Sequence, residues 1–137
     1  MPKVAGVDVL LYLNTGTDVS PTYTVLGGQT EATLNREAEE IDVSAKTDPD
    51  DYGDFLIGKK TWNIECEGFY VDSDTAFDAL EQAFENREHL MVELRMPSGK
   101  TYSGTVRIQE LPMEFPQDDG TTFSTTLLGS GPLTITP

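Results

Sequence analysis

An unbroken alternation of apolar and polar residues over positions 61–68 constrains the fold of this chain more than any other feature. The apolar parity is held by Trp62, Ile64, Cys66 and Gly68. Because successive side chains of a β-strand point to opposite faces, this period of two predicts a strand with one face on a core and the other in water. Residues 39–44 repeat the pattern, with Ile41 and Val43 set between polar neighbours. The sequence therefore predicts two amphipathic strands.

The connection between these two strands, over about 45–60, is too long for a tight hairpin turn. It carries an acidic cluster at 48–54 and then the apolar run Phe55, Leu56 and Ile57. A solvated connection has no need of consecutive apolar side chains, so we expect this long inter-strand loop to contact another surface.

The remainder of the chain predicts short strands and one helix. Strands are expected at 6–13, 23–26, 29–36, 89–96, 101–111, 121–128 and 133–136. An apolar stripe at helical spacing predicts a helix over about 74–86. Near Glu37 the apolar positions change from even to odd numbers, which predicts a bend or an extra residue in the strand there. With 137 residues, the chain is expected to form a single mainly β, antiparallel domain with one flanking helix.

The balance of charge argues against several classes of function. The chain has 24 acidic and 9 basic residues, for a formal net charge of −15. Binding to nucleic-acid phosphates or to anionic membranes requires the opposite sign, so we expect neither specific DNA or RNA recognition nor membrane attachment. A surface of this sign suits a passage that must repel polyanions. The first residues contain no apolar run of signal-peptide length, which favours folding in a cytoplasm.

Candidate catalytic and metal-binding residues are few. The one histidine, His89, has no second histidine or cysteine near it in sequence, and the one cysteine, Cys66, has no basic neighbour that would activate a thiol. An acidic stretch starting at Asp48 matches the first positions of a calcium loop, but Lys59 stands where that loop requires a bidentate glutamate. No phosphate-binding glycine loop or nucleophile motif is present. We therefore expect no enzyme, no metal site and no cofactor.

The polar parity of the predicted strands forms one broad hydrophilic face. Its residues are Glu31, Thr33, Glu40, Asp42, Glu65, Glu67, Ser103, Thr105, Arg107, Ser124 and Thr126. An antiparallel sheet with one face on its core and one in water accounts for this pattern without further function. A face that lines a water-filled channel built from several copies accounts for it too. The period of two fits both interpretations.

The order of these elements resembles that of the major tail proteins, which form the tail tube of long-tailed bacteriophages. The likeness covers essentially the whole chain and is carried by segments 6–11 (GVDVLL), 40–44 (EIDVS) and 61–68 (TWNIECEG). It implies one tail-tube domain over 1–137, an antiparallel β-sandwich or partial barrel flanked by a helix. It also implies hexameric rings that stack into a hollow tube, in which neighbouring sheets join into a continuous barrel.

The resemblance further implies roles for two groups of residues. The long loop would pack against the next ring, through Asp48, Asp50, Asp51, Tyr52, Phe55, Leu56, Ile57, Lys59 and Lys60. The polar face would line an acidic lumen through which DNA passes without specific binding. The implied partners are ring neighbours and stacked rings of the same chain, the tape-measure protein, the tail terminator and baseplate or distal tail proteins. The implied location is the virion, with assembly in the host cytoplasm.

Two other functions are weighed against this one. The tube of a contractile injection or type VI secretion-like apparatus belongs to the same lineage and would move effectors instead of DNA. A surface β-sandwich that binds carbohydrate would need a cluster of exposed aromatic side chains. The aromatic residues of this chain lie mostly at core parity or in the long loop, which disfavours the carbohydrate-binding hypothesis.

Overall fold

The computed structural model describes residues 3–47 and 52–137, which form one antiparallel sheet of nine strands with a flanking helix. The strands are β1 (Leu10–Asn14), β2 (Tyr23–Val25), β3 (Gln29–Asp42), β4 (Phe55–Phe69), β5 (His89–Arg95), β6 (Thr101–Glu110), β7 (Met113–Glu114), β8 (Thr122–Gly129) and β9 (Thr134–Thr136). A 3₁₀ turn at Gly6–Asp8 precedes β1, and the helix α1 spans Thr75–Glu85. No helix in this described part is long and apolar enough to cross a membrane.

Seven strands lie side by side in the order β2-β1-β5-β6-β8-β4-β3, while β7 pairs with β8 and β9 pairs with β6. The sheet curls until β3 approaches β1, and the side chain of Gln29 joins the two. Its amide oxygen accepts a hydrogen bond from the Leu11 N–H at 2.9 Å, and its amide nitrogen donates to the carbonyl oxygens of Leu26 at 2.7 Å and Leu11 at 3.2 Å. The mainly β, partial-barrel fold predicted from the sequence is therefore confirmed.

The hydrophobic core fills the inside of this curl. Fully buried side chains are contributed by Leu11, Leu13, Ile64, Leu80, Val92, Val106 and Leu127. The helix begins after Asp74, as its apolar stripe predicts, and the Asp74 carboxylate accepts a hydrogen bond from the Gly27 N–H at 2.9 Å. Phe77 on the helix packs edge-to-face on Tyr70 and Phe123. The helix therefore covers the open side of the curl.

Trp62 accounts for two glycines in the neighbouring strands. Its indole N–H donates to the carbonyl oxygen of Gly131 at 2.9 Å. The ring lies against Gly104 and Gly129, where a Cβ would come within 2.6 Å of the ring at Gly104 and overlap it at Gly129. Glycine at these strand positions permits the close approach of the large ring.

Two predicted boundaries are wrong. The segments 29–36 and 39–44 join near Glu37, as the predicted bend in the strand allows, into one continuous strand, β3, which ends at Asp42. The first strand, however, begins at Leu10 instead of residue 6. The predicted loop over 45–60 is shorter, because β4 starts at Phe55 and its first residues pair with β3. Residues 55–60 do not alternate, so their sequence does not indicate a strand. Pairing with β3 stabilises the β conformation there.

Candidate functional site

The register of the sheet places most of the predicted polar residues in adjacent rows on one face. One row, across β3, β4 and β8, consists of Glu31, Glu67 and Ser124. The next row consists of Thr33, Glu65 and Thr126 and continues on β6 with Glu110. A shallow depression of about 270 Å³ lies over both rows. The structure therefore brings six of the sequence-predicted residues together at one surface: Glu31, Thr33, Glu65, Glu67, Ser124 and Thr126.

This depression is strongly acidic. Among the described residues, four carboxylates line it, those of Glu31, Glu65, Glu67 and Glu110, and no lysine or arginine does. Glu31 and Glu67 are direct cross-strand partners. A hydrogen bond with Glu31, together with the charge of Glu31, raises the pKa of the Glu67 carboxyl. The surface thus concentrates negative charge instead of neutralising it.

The polar face extends across the sheet to β6. Arg107 is the cross-strand partner of Leu128, which in turn lies opposite Asn63. Ser103 and Thr105 share the pleat parity of Arg107 on β6. The Asn35 side-chain amide nitrogen donates to the side-chain oxygen Oδ1 of Asn63 at 2.8 Å. Neutral side chains and one arginine therefore border the acidic rows.

Glu40 and Asp42 were predicted for the same face, and this part of the prediction is wrong. The register shifts between Ala38, which pairs with Lys60, and Glu40, which pairs with Ile57. The two residue steps from Ala38 to Glu40 in β3 pair with the three residue steps from Lys60 to Ile57 in β4. The extra residue therefore lies in β4, and the side chains of β3 keep their alternation. The even-numbered residues of β3, which include Glu40 and Asp42, point away from the face that carries Glu31.

Glu110 belongs to the acidic face but has the wrong parity in the sequence. A register shift between Ile108 and Glu110 adds one residue to β6 and turns Glu110 towards Thr126. The Thr126 hydroxyl donates to the Glu110 carboxylate at 3.2 Å, and the Thr125 hydroxyl donates to the Glu110 backbone carbonyl at 3.0 Å. The sequence signal for this residue was the break in alternation at 109–110, where two polar residues are consecutive.

Beyond the core, β3 and β4 continue as a two-stranded ribbon, here defined as residues 37–43 and 54–61. In this segment β4 pairs with β3 alone, since its pairing with β8 starts at Asn63. The exposed side chains of the ribbon and its turn include the predicted contact residues Tyr52, Phe55, Leu56, Ile57, Lys59 and Lys60. Asp48, Asp50 and Asp51 lie outside the described residues. A two-stranded hairpin is at best marginally stable in water by itself. The ribbon therefore has few stabilising contacts within a single chain.

Besides the edges of the short strands β2 and β9, two longer strand edges are open within the described residues. Within the described residues β3 pairs with β4 only, which leaves its other edge without a strand along its length. On the other side, β5 pairs with β6 as far as Arg107. In the part of the chain that the structure describes, the segment 108–114, including β7, therefore has no strand on the edge away from β8. Long open edges are uncommon in proteins that function as isolated domains.

Two kinds of reactive group would matter at these surfaces, a thiol and a metal-binding cluster. Cys66 lies in the core behind the acidic rows, and burial, with a smaller effect of the Glu67 charge, raises the pKa of its thiol to about 12. Over residues 3–47 and 52–137, no group of three or more His, Cys, Asp or Glu side chains is placed to hold a metal ion. The site is therefore a surface suited to contact and repulsion.

The fold is shared with chains of tail tubes and of contractile injection systems. A chain from the tail of an empty gene transfer agent particle, obtained with C6 symmetry, has a TM-score of 0.86 at 20% identity and covers 97% of this chain and 98% of its own. A chain of the SPP1 tail tube has a TM-score of 0.78 at 12% identity, covering 97% and 78%. A chain of the sheath-tube complex of an extracellular contractile injection system has a TM-score of 0.64 at 10% identity, covering 98% and 91%.

The family is shown by the sequence itself. Residues 3–135 match the family model for the phage tail tube protein, and the chain belongs to that family. No curated protein matches the chain in sequence. The family and the structural role in a tail tube that the sequence predicts are thus confirmed.

Proposed function

We propose that this chain assembles into stacked hexameric rings whose polar face lines an acidic lumen for the passage of DNA. The observation that carries the proposal is the pair of adjacent rows that holds the carboxyl groups of Glu31, Glu65, Glu67 and Glu110, with no lysine or arginine among the described lining residues. Such a lining repels phosphates, so a DNA molecule slides along it without binding. The sixfold symmetry is supported by the similar tail chain, which comes from a tail obtained with C6 symmetry.

The two open edges support the closing of each ring. In a head-to-tail ring, the free edge of β3 in one subunit faces the free edge of 108–114 in the next. Joining these edges would extend the sheet around the ring and cover both of them. Pro112, which lacks an N–H, lies in the second segment and limits the pairing to the residues on either side of it.

The ribbon supports the joint between rings. Its apolar side chains, at Phe55, Leu56 and Ile57, are exposed in the single chain and suit the desolvated centre of a contact. Replacing Phe55 and Leu56 with Asp should leave the chain folded and prevent ring stacking, because it places charge in that centre. Tubes formed by this variant at normal yield would overturn the ring-to-ring role of the ribbon.

Tail components complete the proposed assembly. The tape-measure protein, the tail terminator and the baseplate or distal tail proteins would contact the tube in a virion that is assembled in the host cytoplasm. A role as the tube of a contractile injection system is the second candidate, since a sheath-tube complex includes a chain of this fold. The gene transfer agent tail chain is more similar in structure, which favours the DNA-conducting tail.

Electron microscopy of the purified chain at high concentration, with the other tail components added where needed, tests the assembly. Tubes built of stacked rings are expected, and persistent monomers under all these conditions would overturn the proposal. Sixfold averages of end-on views would establish the hexamer.

A charge reversal tests the lumen. Replacing Glu65 and Glu67 with Lys should permit assembly but slow DNA release from particles, because phosphates then bind to the wall. The matched control replaces Glu81 and Glu85, which are exposed on α1, with Lys at the same change in net charge. Equal release by both double variants would mean that the carboxylates of β4 face elsewhere.

A further inference from the structure

The turn between β7 and β8 contains an aspartate that is followed directly by a glycine, Asp119 and Gly120. No other aspartate or asparagine of the sequence precedes a glycine. Both residues are exposed and lie outside the two strands. Because glycine has no Cβ, the backbone nitrogen of Gly120 can approach the carboxyl group of the preceding side chain more closely than that of any other residue type.

The structure leaves this nitrogen available. Within the described residues, the Gly120 N–H donates to no backbone carbonyl. The neighbouring residue is anchored, since the Thr121 carbonyl oxygen accepts a hydrogen bond from the Tyr70 N–H at 2.8 Å. On the other side of the turn, Glu114 pairs with Thr122. The turn is therefore held at both ends, and the reactive pair of residues lies between the two anchors.

Two other exposed turn aspartates provide a comparison within the same chain. Asp72 precedes Ser73, and its carboxylate accepts a hydrogen bond from the Tyr70 hydroxyl at 3.4 Å. Asp18 precedes Val19, whose branched side chain shields the backbone nitrogen. Exposure is thus common to the three aspartates, and Asp119 differs in the access of the following nitrogen to its carboxyl group.

We propose that Asp119 is a modification site, at which the backbone isomerises from aspartate to isoaspartate as the protein ages. The Gly120 nitrogen attacks the side-chain carboxyl carbon of Asp119 and forms a C–N bond. One water molecule leaves, made from the proton of that nitrogen and the hydroxyl of the carboxyl group. Water then adds to the main-chain carbonyl carbon of the cyclic imide, which breaks the original peptide bond and frees a carboxylate. The product is an isomer of the chain, so the reaction needs no oxidant or reductant.

The structure also indicates how far the change extends. The main chain then runs through the Asp119 Cβ and gains one carbon atom, while the negative charge is kept. The anchors at Thr121 and at the pair of Glu114 with Thr122 confine this change to the turn. Phe69 is the neighbour most affected, because a Cβ on Gly120 would lie 3.4 Å from its ring. A structural protein is not replaced once its particle is built, so a slow change of this kind accumulates there.

Incubation of the purified chain at physiological temperature tests the proposal. Samples taken over time are digested and analysed by electron-transfer mass spectrometry, which cleaves the Cα–Cβ bond of isoaspartate and so distinguishes it from aspartate. Isoaspartate is expected to accumulate at residue 119 several-fold faster than at Asp72 or Asp18. Equal accumulation at the three aspartates would overturn the proposal. The measurement uses the free chain, so its outcome is independent of the tube assembly proposed above.

A single added methyl group provides the matched variant. Gly120→Ala should slow isomerisation at Asp119 several-fold, because the new Cβ hinders the attacking nitrogen. The variant should fold, since the φ angle of Gly120 is not in the left-handed region and the Cβ would make an ordinary contact with Phe69. Gly6→Ala is the control, because its Cβ would meet no atom within 4 Å and no aspartate precedes it. Accumulation that is unchanged in Gly120→Ala would contradict attack by this nitrogen.

The same incubation in urea separates the contribution of the fold from that of the sequence. Folding should slow the reaction at Asp72 more than at Asp119, since the folded chain binds the Asp72 carboxylate through Tyr70 and leaves the Gly120 nitrogen free. A larger ratio of folded to unfolded rate at Asp119 would support the structural argument. Equal slowing at both aspartates would overturn it.

Discussion

The two halves of β4 are parts of one strand and have opposite environments. From Trp62 to Gly68 the strand lies between β3 and β8, and every second residue is buried. From Phe55 to Thr61 it pairs with β3 alone and exposes its apolar residues. Ile64 is 0% exposed and Ile57 is 67% exposed, although both are isoleucines in the same strand. The first half contributes to the core, and the second half is the part that we propose contacts another molecule.

The difference is energetic as well as geometric. Burying an isoleucine side chain stabilises a protein by about 1.5–3 kcal/mol relative to leaving it exposed. Ile64 makes this contribution within the single chain, whereas Ile57 can make most of its contribution only when another surface covers it. Substitutions in the two halves should therefore separate folding from assembly, and the expected losses of folding stability decrease from the core to the ribbon.

The largest loss is expected at Trp62. Trp62→Ala should lower the free energy of unfolding by about 3–5 kcal/mol, because it leaves a cavity against Gly104 and Gly129. Urea denaturation followed by circular dichroism measures it. Trp62→Phe keeps an aromatic ring but loses the hydrogen bond to the Gly131 carbonyl, and it should cost less. A loss below about 1 kcal/mol for Trp62→Ala would contradict tight packing of the ring on the two glycines.

A smaller loss is expected at Gln29. Gln29→Ala removes three hydrogen bonds to the backbone of Leu11 and Leu26, both buried, and should cost about 1–3 kcal/mol. Thr30→Ala is the control, since the exposed Thr30 hydroxyl donates only to the Glu67 carbonyl and its loss should cost about 0.5 kcal/mol or less. Equal effects of the two substitutions would mean that Gln29 does not hold the curl closed.

Where alternation is strict, the sequence predicts this structure well. The parity of 61–68 identifies the buried side of β4, and the apolar stripe of α1 identifies its start to within one residue. Both patterns lie within a single strand or helix, so they can be recognised without information from the rest of the chain. The acidic rows follow directly, since Glu65 and Glu67 must lie opposite the core once Ile64 lies in it.

The misplaced residues depend on pairs of strands. An extra residue in β4, near Gly58, shifts the register of the ribbon, and the parity of β3 alone suggested that the insertion lay near Glu37. Glu110 reaches the acidic face through a similar shift in β6. At the N-terminus, Val7 alternates as a strand residue would but is 83% exposed in a 3₁₀ turn. Alternation does not specify whether a partner strand is available. The partner strand decides whether a segment forms a strand and in which register it pairs.

An effect on stability smaller than those at Trp62 and Gln29 is expected at Glu67, and it should depend on pH. The pKa of its carboxyl is raised from the usual 4.5, chiefly by Glu31, so the folded chain holds this proton more tightly than the unfolded chain. The ionised pair therefore opposes folding at neutral pH, and this effect disappears as the pH falls through the raised pKa towards 4.5. Glu67→Gln should melt slightly above the unmodified chain at pH 7, with a difference that closes on acidification.

Thermal melts from pH 7 to pH 4.5 at low protein concentration measure this difference. Glu65→Gln is the matched control, because Glu65 lies opposite Thr33 instead of a carboxylate. The control should follow the unmodified chain more closely across the series. A difference for Glu67→Gln that grows as the pH falls would contradict the repulsion between Glu31 and Glu67.

The smallest change in folding stability is expected in the ribbon, where assembly should change most. Ile57→Asp should alter the free energy of unfolding by less than about 0.5 kcal/mol, because the side chain is already in water. The same substitution should prevent tubes at concentrations where the unmodified chain forms them, since a carboxylate would be desolvated in the contact. Val19→Asp, at an exposed turn, is the control and should change neither measurement. If Ile57→Asp instead lowers stability as much as a core substitution does, the ribbon belongs to the folding unit and the contrast between the halves of β4 fails.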